Sequence, residues 1–333
     1  MPEQKVKKTN IWWKIATIIA VLLVLYQGGA VIAFSFIFPR YTPSLDGYCR
    51  KYTEAEAETI PREDFSFPSG DNMLTARFYP ADNAKATMII AHGYHSYGDR
   101  FFELAAYFSQ RNYNVITYNA TGTYDSEGNG TIGLSQMRSD LLACIKYVNS
   151  SKYSSYGSVP LILLGHSLGG YSVCTALRDA ENVSAAIAVA PFDEPIPVMK
   201  NYAAEYVGAF ADITFPAMYL QNFFVFGADH NLRASDVLNS TLVPTMVVYG
   251  SNDTIVTPDL SVYQYKDNIH NPLVSFMYIE EEYRNTHTSI WYTQESAKAL
   301  LEREKDAASD GTYPALDPDF METLYSFYEK ALQ

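Results

Sequence analysis

A chain of 333 residues is long enough to bury one large core, and α/β sheets often run past about 200 residues as a single domain. Hydrophobic residues make up 48% and charged residues 18% of it, a balance that excludes an intrinsically disordered chain. The formal net charge is −13, and no basic run is interleaved with aromatics, which argues against nucleic acid as a partner.

Lys5, Lys7, Lys8 and Lys14 precede an uncharged stretch from Ile15 to Phe38, closed by Pro39 and Arg40. As a helix rising about 1.5 Å per residue, this stretch crosses a hydrocarbon layer of about 30 Å with some tilt. It is read as a single-pass anchor in the cell membrane over residues 15–38. The lysines put residues 1–14 in the cytoplasm by the positive-inside bias and the rest of the chain outside. A cleaved signal peptide competes, because Gly28-Gly29-Ala30 offers small residues to a peptidase; the apolar run continues to Phe38, however, which a soluble mature amino terminus does not need. Residues 39–60, polar and glutamate-rich, read as a juxtamembrane spacer with a short helix. Cys49, Cys144 and Cys174 are too scattered for a disulfide framework or a zinc site, and the last two fall in apolar helical patterns as buried thiols.

After Pro61 the pattern turns strand-like. Phe65–Pro68 and Met73–Tyr79 flank Ser69-Gly70-Asp71-Asn72, a hairpin signal. Continuous apolar runs at 87–91, 114–118, 159–164, 184–190, 243–249 and 273–279 predict buried strands. Helices are predicted at 101–110, 134–149, 169–178, 258–268 and 288–305. The alternation means a mainly parallel sheet covered on both faces, and the fold class is α/β. One interval breaks it: 192–241 has no clear buried strand but carries Tyr202, Tyr206, Phe210, Phe215, Tyr219, Phe223, Phe224 and Phe226, and reads as an inserted helical cap. The main domain is thus 61–333.

In such a sheet the reactive groups gather at the carboxyl ends of the strands. The strand 159–164 runs straight into Gly165-His166-Ser167-Leu168-Gly169-Gly170. Glycines two positions either side of a serine permit a sharp strand-to-helix turn that lifts the hydroxyl clear, with a helix amino terminus beside it. Ser167 is the candidate nucleophile. Sequons at Asn119 and Asn252 fall beside this site, where a glycan would obstruct it, which favours a cell such as a bacterium that does not glycosylate secreted chains.

This segment resembles the nucleophile elbow of α/β-hydrolases, and the order of elements from Pro61 to Lys305 agrees with that fold. Within it the chain is most similar to bacterial monoglyceride-lipase and lysophospholipase-like hydrolases, whose cap is inserted where 192–241 falls. The resemblance implies an oxyanion hole from the backbone N–H groups of Tyr94 and Leu168. It also places the acid just past the strand 243–249, at Asp253. Asp259 is the fallback, although its place after Pro258 fits helix capping. The chain order Ser, acid, His leaves His287 as base among six histidines. His92 is expected to be structural. One departure stands out: after Tyr118 the chain reads Asn119-Ala120-Thr121-Gly122-Thr123-Tyr124-Asp125, where relatives commonly begin with aspartate and an arginine-glycine pair.

The implied chemistry is a Ser167–His287–Asp253 triad working through an acyl-enzyme, with no metal or organic cofactor required. An aromatic cap and a membrane anchor favour carboxylic esters of acylglycerol-like or other apolar acyl type. A serine aminopeptidase or acyltransferase on the same fold, or a non-catalytic surface binding protein, is the alternative.

Overall fold

The computed structural model describes residues 11–43, 52–131, 133–150, 159–306 and 313–333. Lys5, Lys7, Lys8, Cys49 and the middle of the expected spacer lie outside the described residues.

The hairpin forms as the turn signal requires. β1 (Glu63–Ser69) and β2 (Asn72–Tyr79) pair antiparallel with Ser69 opposite Asn72, and Gly70 takes the left-handed conformation at φ +57°. The remaining strands are β3 (Ala86–Ala91), β4 (Tyr113–Tyr118), β5 (Leu161–His166), β6 (Val183–Val189), β7 (Thr245–Gly250) and β8 (Val274–Ile279). They form one eight-stranded sheet in the order β1-β2-β4-β3-β5-β6-β7-β8. It is parallel from β4 through β8, and β2 alone is reversed, pairing antiparallel with both β1 and β4.

The helices in chain order are α1 (Ile11–Ile37), α2 (Glu54–Thr59), α3 (Phe102–Ser109), α4 (Gln136–Ser150) and α5 (Leu168–Ala176). They continue with α6 (Pro195–Val207), α7 (Phe210–Phe226), α8 (Ala234–Ser240), α9 (Gln294–Asp306) and α10 (Pro318–Ala331). The central strands are apolar throughout because both of their faces are covered. Leu161 and Leu163 of β5 point into one core, with Leu141, Cys144 and Ile145 of α4 and Tyr171, Val173 and Cys174 of α5. Ile162 and Leu164 point into the other, with Phe102, Leu104 and Phe108 of α3 and Phe320, Leu324 and Tyr328 of α10. The period of two along β5 thus supplies both layers. Cys144 and Cys174 are free and buried, and burial pushes both thiols up.

Three local expectations need correction. Residues 258–268 hold no α-helix but a short 3₁₀ turn, Val262–Tyr265. There Ser261 Oγ caps Tyr263 N at 3.1 Å, and Val262 N bonds Pro191 O at 3.2 Å, which ties the segment sideways to the chain after β6. The helix predicted from Thr288 starts only at Gln294, because Ile290 and Trp291 are buried in the turn-rich segment before it. Finally α10 was not anticipated: Asp317 caps it through Phe320 N at 2.8 Å, Pro318 opens it, and Tyr328 donates to Leu163 O at 2.6 Å beneath the sheet.

The interval 192–241 contains α6, α7 and α8. Ile11–Phe36 of α1 is long and apolar enough to cross a membrane. Its first part stands clear of the domain, whereas Ala30, Phe34 and Phe38 are buried against it. Gln27 donates to Ala217 O of α7 at 3.0 Å, and the Tyr26 hydroxyl donates to Ile213 O. Pro216 interrupts α7 beside these carbonyls, so the two polar groups of α1 meet acceptors where the helix is weakened.

Leu324 is fully buried between α10 and the sheet. Leu324→Ala is expected to lower stability by about 2–5 kcal/mol through lost burial and the cavity left behind; urea unfolding of the detergent-solubilised chain checks this.

Candidate active site

β5 ends at His166 and α5 begins at Leu168, so Ser167 alone makes the turn. Its backbone sits at φ 56°, ψ −118°, a conformation that non-glycine residues avoid and that marks a strained turn. Two bonds hold it there: Ser167 N donates to Val189 O at 2.8 Å, and Ser167 O accepts from Tyr171 N at 2.9 Å. The flanking glycines are obligatory for packing. A Cβ at Gly165 would collide with the Gly169 carbonyl, and one at Gly169 with the carbonyl of Ala91 at the end of β3.

The same crowding brings the loop after β3 against the serine. A Cβ at Gly93 would lie a tight 3.2 Å from Ser167 Cβ, so glycine at 93 eases the close approach of the 93–94 peptide. Among the described residues, the N–H groups of Tyr94 and Leu168 meet no hydrogen-bond acceptor. Leu168 is the first residue of α5, where an unpaired N–H is inherent to the helix end.

Asp253 lies three residues past β7, as expected. Its Oδ1 accepts from Ile255 N at 2.9 Å and Val256 N at 2.8 Å, and its Oδ2 faces His287 Nδ1 at 2.7 Å. The carboxylate is therefore aimed by its own loop. Lacing between the loops after β7 and β8 fixes the partner: Asn252 N bonds Asn285 O at 2.9 Å, and Asn285 Nδ2 bonds Ser251 Oγ at 2.9 Å. Asp259, the fallback, instead accepts from Thr257 Oγ1 at 2.6 Å on the exposed side. Ser167 and His287 line one cavity of about 80 Å³ together with Tyr94, Arg100, Phe101, Leu104, Trp291 and Tyr292. Among the described residues no hydrogen bond joins Ser167 to His287, so the structure makes one of the two contacts a triad needs and leaves the other open. A larger groove of about 960 Å³ borders His287 but not Ser167, so only the smaller of these two cavities brings the pair together.

Two further histidines are framework. His92 Nε2 accepts from Ala120 N at 3.1 Å, which leaves Nδ1 as the protonated atom donating to Gly93 O at 2.7 Å. His166 Nε2 donates to the backbone O of His287 at 2.8 Å and so ties the elbow to the histidine loop. Burial pulls His92 down to about 4. Burial, with the neighbouring His287 ring, pulls His166 to about 3. Both are neutral at physiological pH. The role of His166 was not read from the sequence, because the contact spans 121 residues and depends on a backbone carbonyl. Asn119 is buried, with Nδ2 donating to Asp125 at 2.6 Å, so a glycan there is incompatible with the fold. Among the described residues no group of three or more His, Cys, Asp or Glu side chains converges as a metal site.

Known proteins fit this architecture. An esterase of Pyrococcus furiosus superposes with a TM-score of 0.58 over 88% of this chain and all of its own, at 17% identity. The chain has the α/β-hydrolase fold. Residues 82–226 match the family model described as serine aminopeptidase S33. The uncharacterized protein YfhR of Salmonella typhi is 31% identical over 160 residues, 48% of this chain and 51% of that protein. Monoglyceride lipase of Rattus norvegicus is 25% identical over 138 residues, 40% of this chain and 45% of that protein. The chain thus spans about half the length of the curated relatives it matches.

The buried histidines set an acid response. Between pH about 6.5 and 4 the unfolded imidazoles bind protons that folded His92 and His166 refuse, so stability falls as pH drops through that window and levels off below the folded values. The unfolding midpoint is expected to fall from pH 7 to pH 4, with a shallower slope in His92→Asn than in wild type.

Proposed function

We propose that this protein is a serine hydrolase that cleaves carboxylic esters with apolar acyl groups, acylglycerol-like esters being the class in view. The observation that carries this reading is the cavity shared by Ser167 and His287, with Asp253 on the far nitrogen of the imidazole. A carboxylate accepting the Nδ1 proton leaves Nε2 as the basic atom. In the reaction, His287 Nε2 takes the Ser167 proton as Oγ attacks the carbonyl. The N–H groups of Tyr94 and Leu168 stabilise the oxyanion, and His287 returns the proton to the departing alcohol. Water, activated by the same imidazole, then releases the acid and restores the serine.

The family model's description raises aminopeptidase activity as a second reading. The cavity lining speaks against it. Among the described residues it contains Arg100 and the apolar walls of Phe101, Leu104 and Trp291, and no carboxylate to receive a substrate's ammonium group. An uncharged ester suits such walls better.

We further infer that α1 anchors the domain in the cell membrane, with residues 1–14 cytoplasmic, residues 39–333 outside and 192–241 serving as a cap. Ile11–Leu25 is exposed along its whole length and supports this reading. So does α7, which packs on α1 and exposes Phe210, Ile213, Phe223, Phe224 and Val225, an apolar patch of the kind that marks a lipid or protein contact. Such a site stands where lipid-like esters are concentrated.

With the full-length chain in detergent, p-nitrophenyl esters are expected to turn over and aminoacyl-p-nitroanilides to be left intact. Ser167→Ala and His287→Ala should each lower kcat by at least about 10³-fold, and Asp253→Asn by on the order of 10³–10⁴-fold. Ester turnover undiminished in Ser167→Ala would sink the reading.

A further inference from the structure

The departure after β4 has a structural counterpart. Residues 119–130, where relatives commonly carry aspartate and an arginine-glycine pair, receive the chain as it leaves α1. Pro39 bridges Gly130 and Tyr41 bridges Thr123. Tyr41 N donates to Gly122 O at 3.0 Å, and Tyr124 N donates back to Tyr41 O at 2.8 Å. Arg40 spreads its guanidinium over the carbonyls of Gly128, Tyr124 and Ser126 at 2.6, 2.5 and 2.7 Å. Gly130, at φ +157°, admits the segment, because a Cβ there would stand 2.7 Å from Phe38 O. The loop is itself held from beneath: Thr121 N donates to buried Asp140 at 2.8 Å, and Arg77 pairs with Asp125 at 2.5 Å.

The docked segment presses on the candidate oxyanion loop. Phe38, 2% exposed, lies 5.7 Å from the Tyr94 ring and 5.5 Å from Tyr202 of α6, between centroids. Tyr41 stacks on His95 at 5.0 Å, and His95 stacks on Tyr94 at 4.1 Å. His95 sits at φ +49°, an uncommon conformation for a residue with a side chain, and one that persists where packing enforces it.

We propose that the exit segment of the membrane helix, Phe38–Tyr41, is a working part of the active site. Phe38 and Tyr41 are positioning residues: they clamp the Tyr94–His95 turn so that the Tyr94 N–H faces the carbonyl carried by Ser167. The anchor is then a requirement for turnover as well as for location. This rests on the reading of Tyr94 as an oxyanion donor, and it goes beyond that reading by making catalysis depend on residues outside the sheet domain.

The test compares full-length variants in detergent for kcat and KM on a soluble p-nitrophenyl ester, with thermal midpoints measured alongside. Phe38→Ala and Tyr41→Ala are expected to lower kcat about 10-fold or more, within the roughly 10²–10³-fold range lost when an oxyanion donor is removed outright, with KM changed less than about twofold. Tyr41→Phe, which keeps the ring stacked on His95, should restore wild-type kcat, and Leu23→Ala on the exposed face of α1 should leave it unchanged. Should Phe38→Ala fail to fold, the Tyr41 pair decides. Wild-type kcat in Tyr41→Ala, an equal loss in Tyr41→Phe, or a change confined to KM overturns the proposal. A wild-type chain that turns over no ester instead removes the hydrolase reading, and this proposal with it.

Discussion

The turn between β5 and α5 leaves no room for a side chain at Gly165 or Gly169, and the rest of the site is arranged around that close contact. Because the Gly169 backbone lies against the carbonyl of Ala91, the end of β3 and the start of α5 share one small volume. Ser167 is forced out of the turn, Gly93 meets it side-on, and the N–H groups of Tyr94 and Leu168 are left without an acceptor among the described residues. Strain at one residue is tolerated because the sheet on one side and the helix on the other determine its position.

Asp253 and His287, the proposed acid and base, are placed by a second contact of the same kind. Gly250 permits Asn285 to close on the end of β7, and the laced loops bring His287 to Asp253 across 34 residues of sequence. His166 then joins this unit to the elbow through a single bond to the His287 carbonyl. Each half of the site therefore rests on a pair of adjacent parallel strands, β3 with β5 and β7 with β8, and on a glycine contact within that pair. Neutral, buried histidines act as struts here, and one chain of stacked rings, from half-buried Tyr41 through exposed His95 to half-buried Tyr94, connects the site with the end of α1.

Much of this was legible in the sequence for a plain reason. β5 and its turn are local: an apolar run followed by glycines two residues either side of Ser167 encodes strand, turn and helix within ten positions. The contact between Asp253 and His287 follows the chain order of a resembling fold, and their roles as acid and base are part of the proposal. What the sequence hid is non-local. Tyr328 reaches the carbonyl of Leu163 across 165 positions, and the pattern of α10, though capped by Asp317 and Pro318, stands apart from the alternation that guided the reading. The 258–268 segment shows the opposite failure. Its Pro258 suggests a helix start, but Tyr263 stacks on Tyr249 and Tyr278 of the neighbouring strands, and tertiary packing there overrides local propensity. The polar opening of the expected spacer likewise gave no sign that Pro39–Tyr41 docks, since its partners lie more than 80 positions away.

The central claim is that Ser167, and no other hydroxyl, forms the covalent bond to substrate. Mass-spectrometric peptide mapping of the full-length chain after exposure to a fluorophosphonate tests it most directly. The expected result is a single adduct on the peptide carrying Gly165-His166-Ser167-Leu168-Gly169, slowed strongly in His287→Ala. An ester-hydrolysing chain with no adduct, or with its adduct on a different serine, contradicts the account.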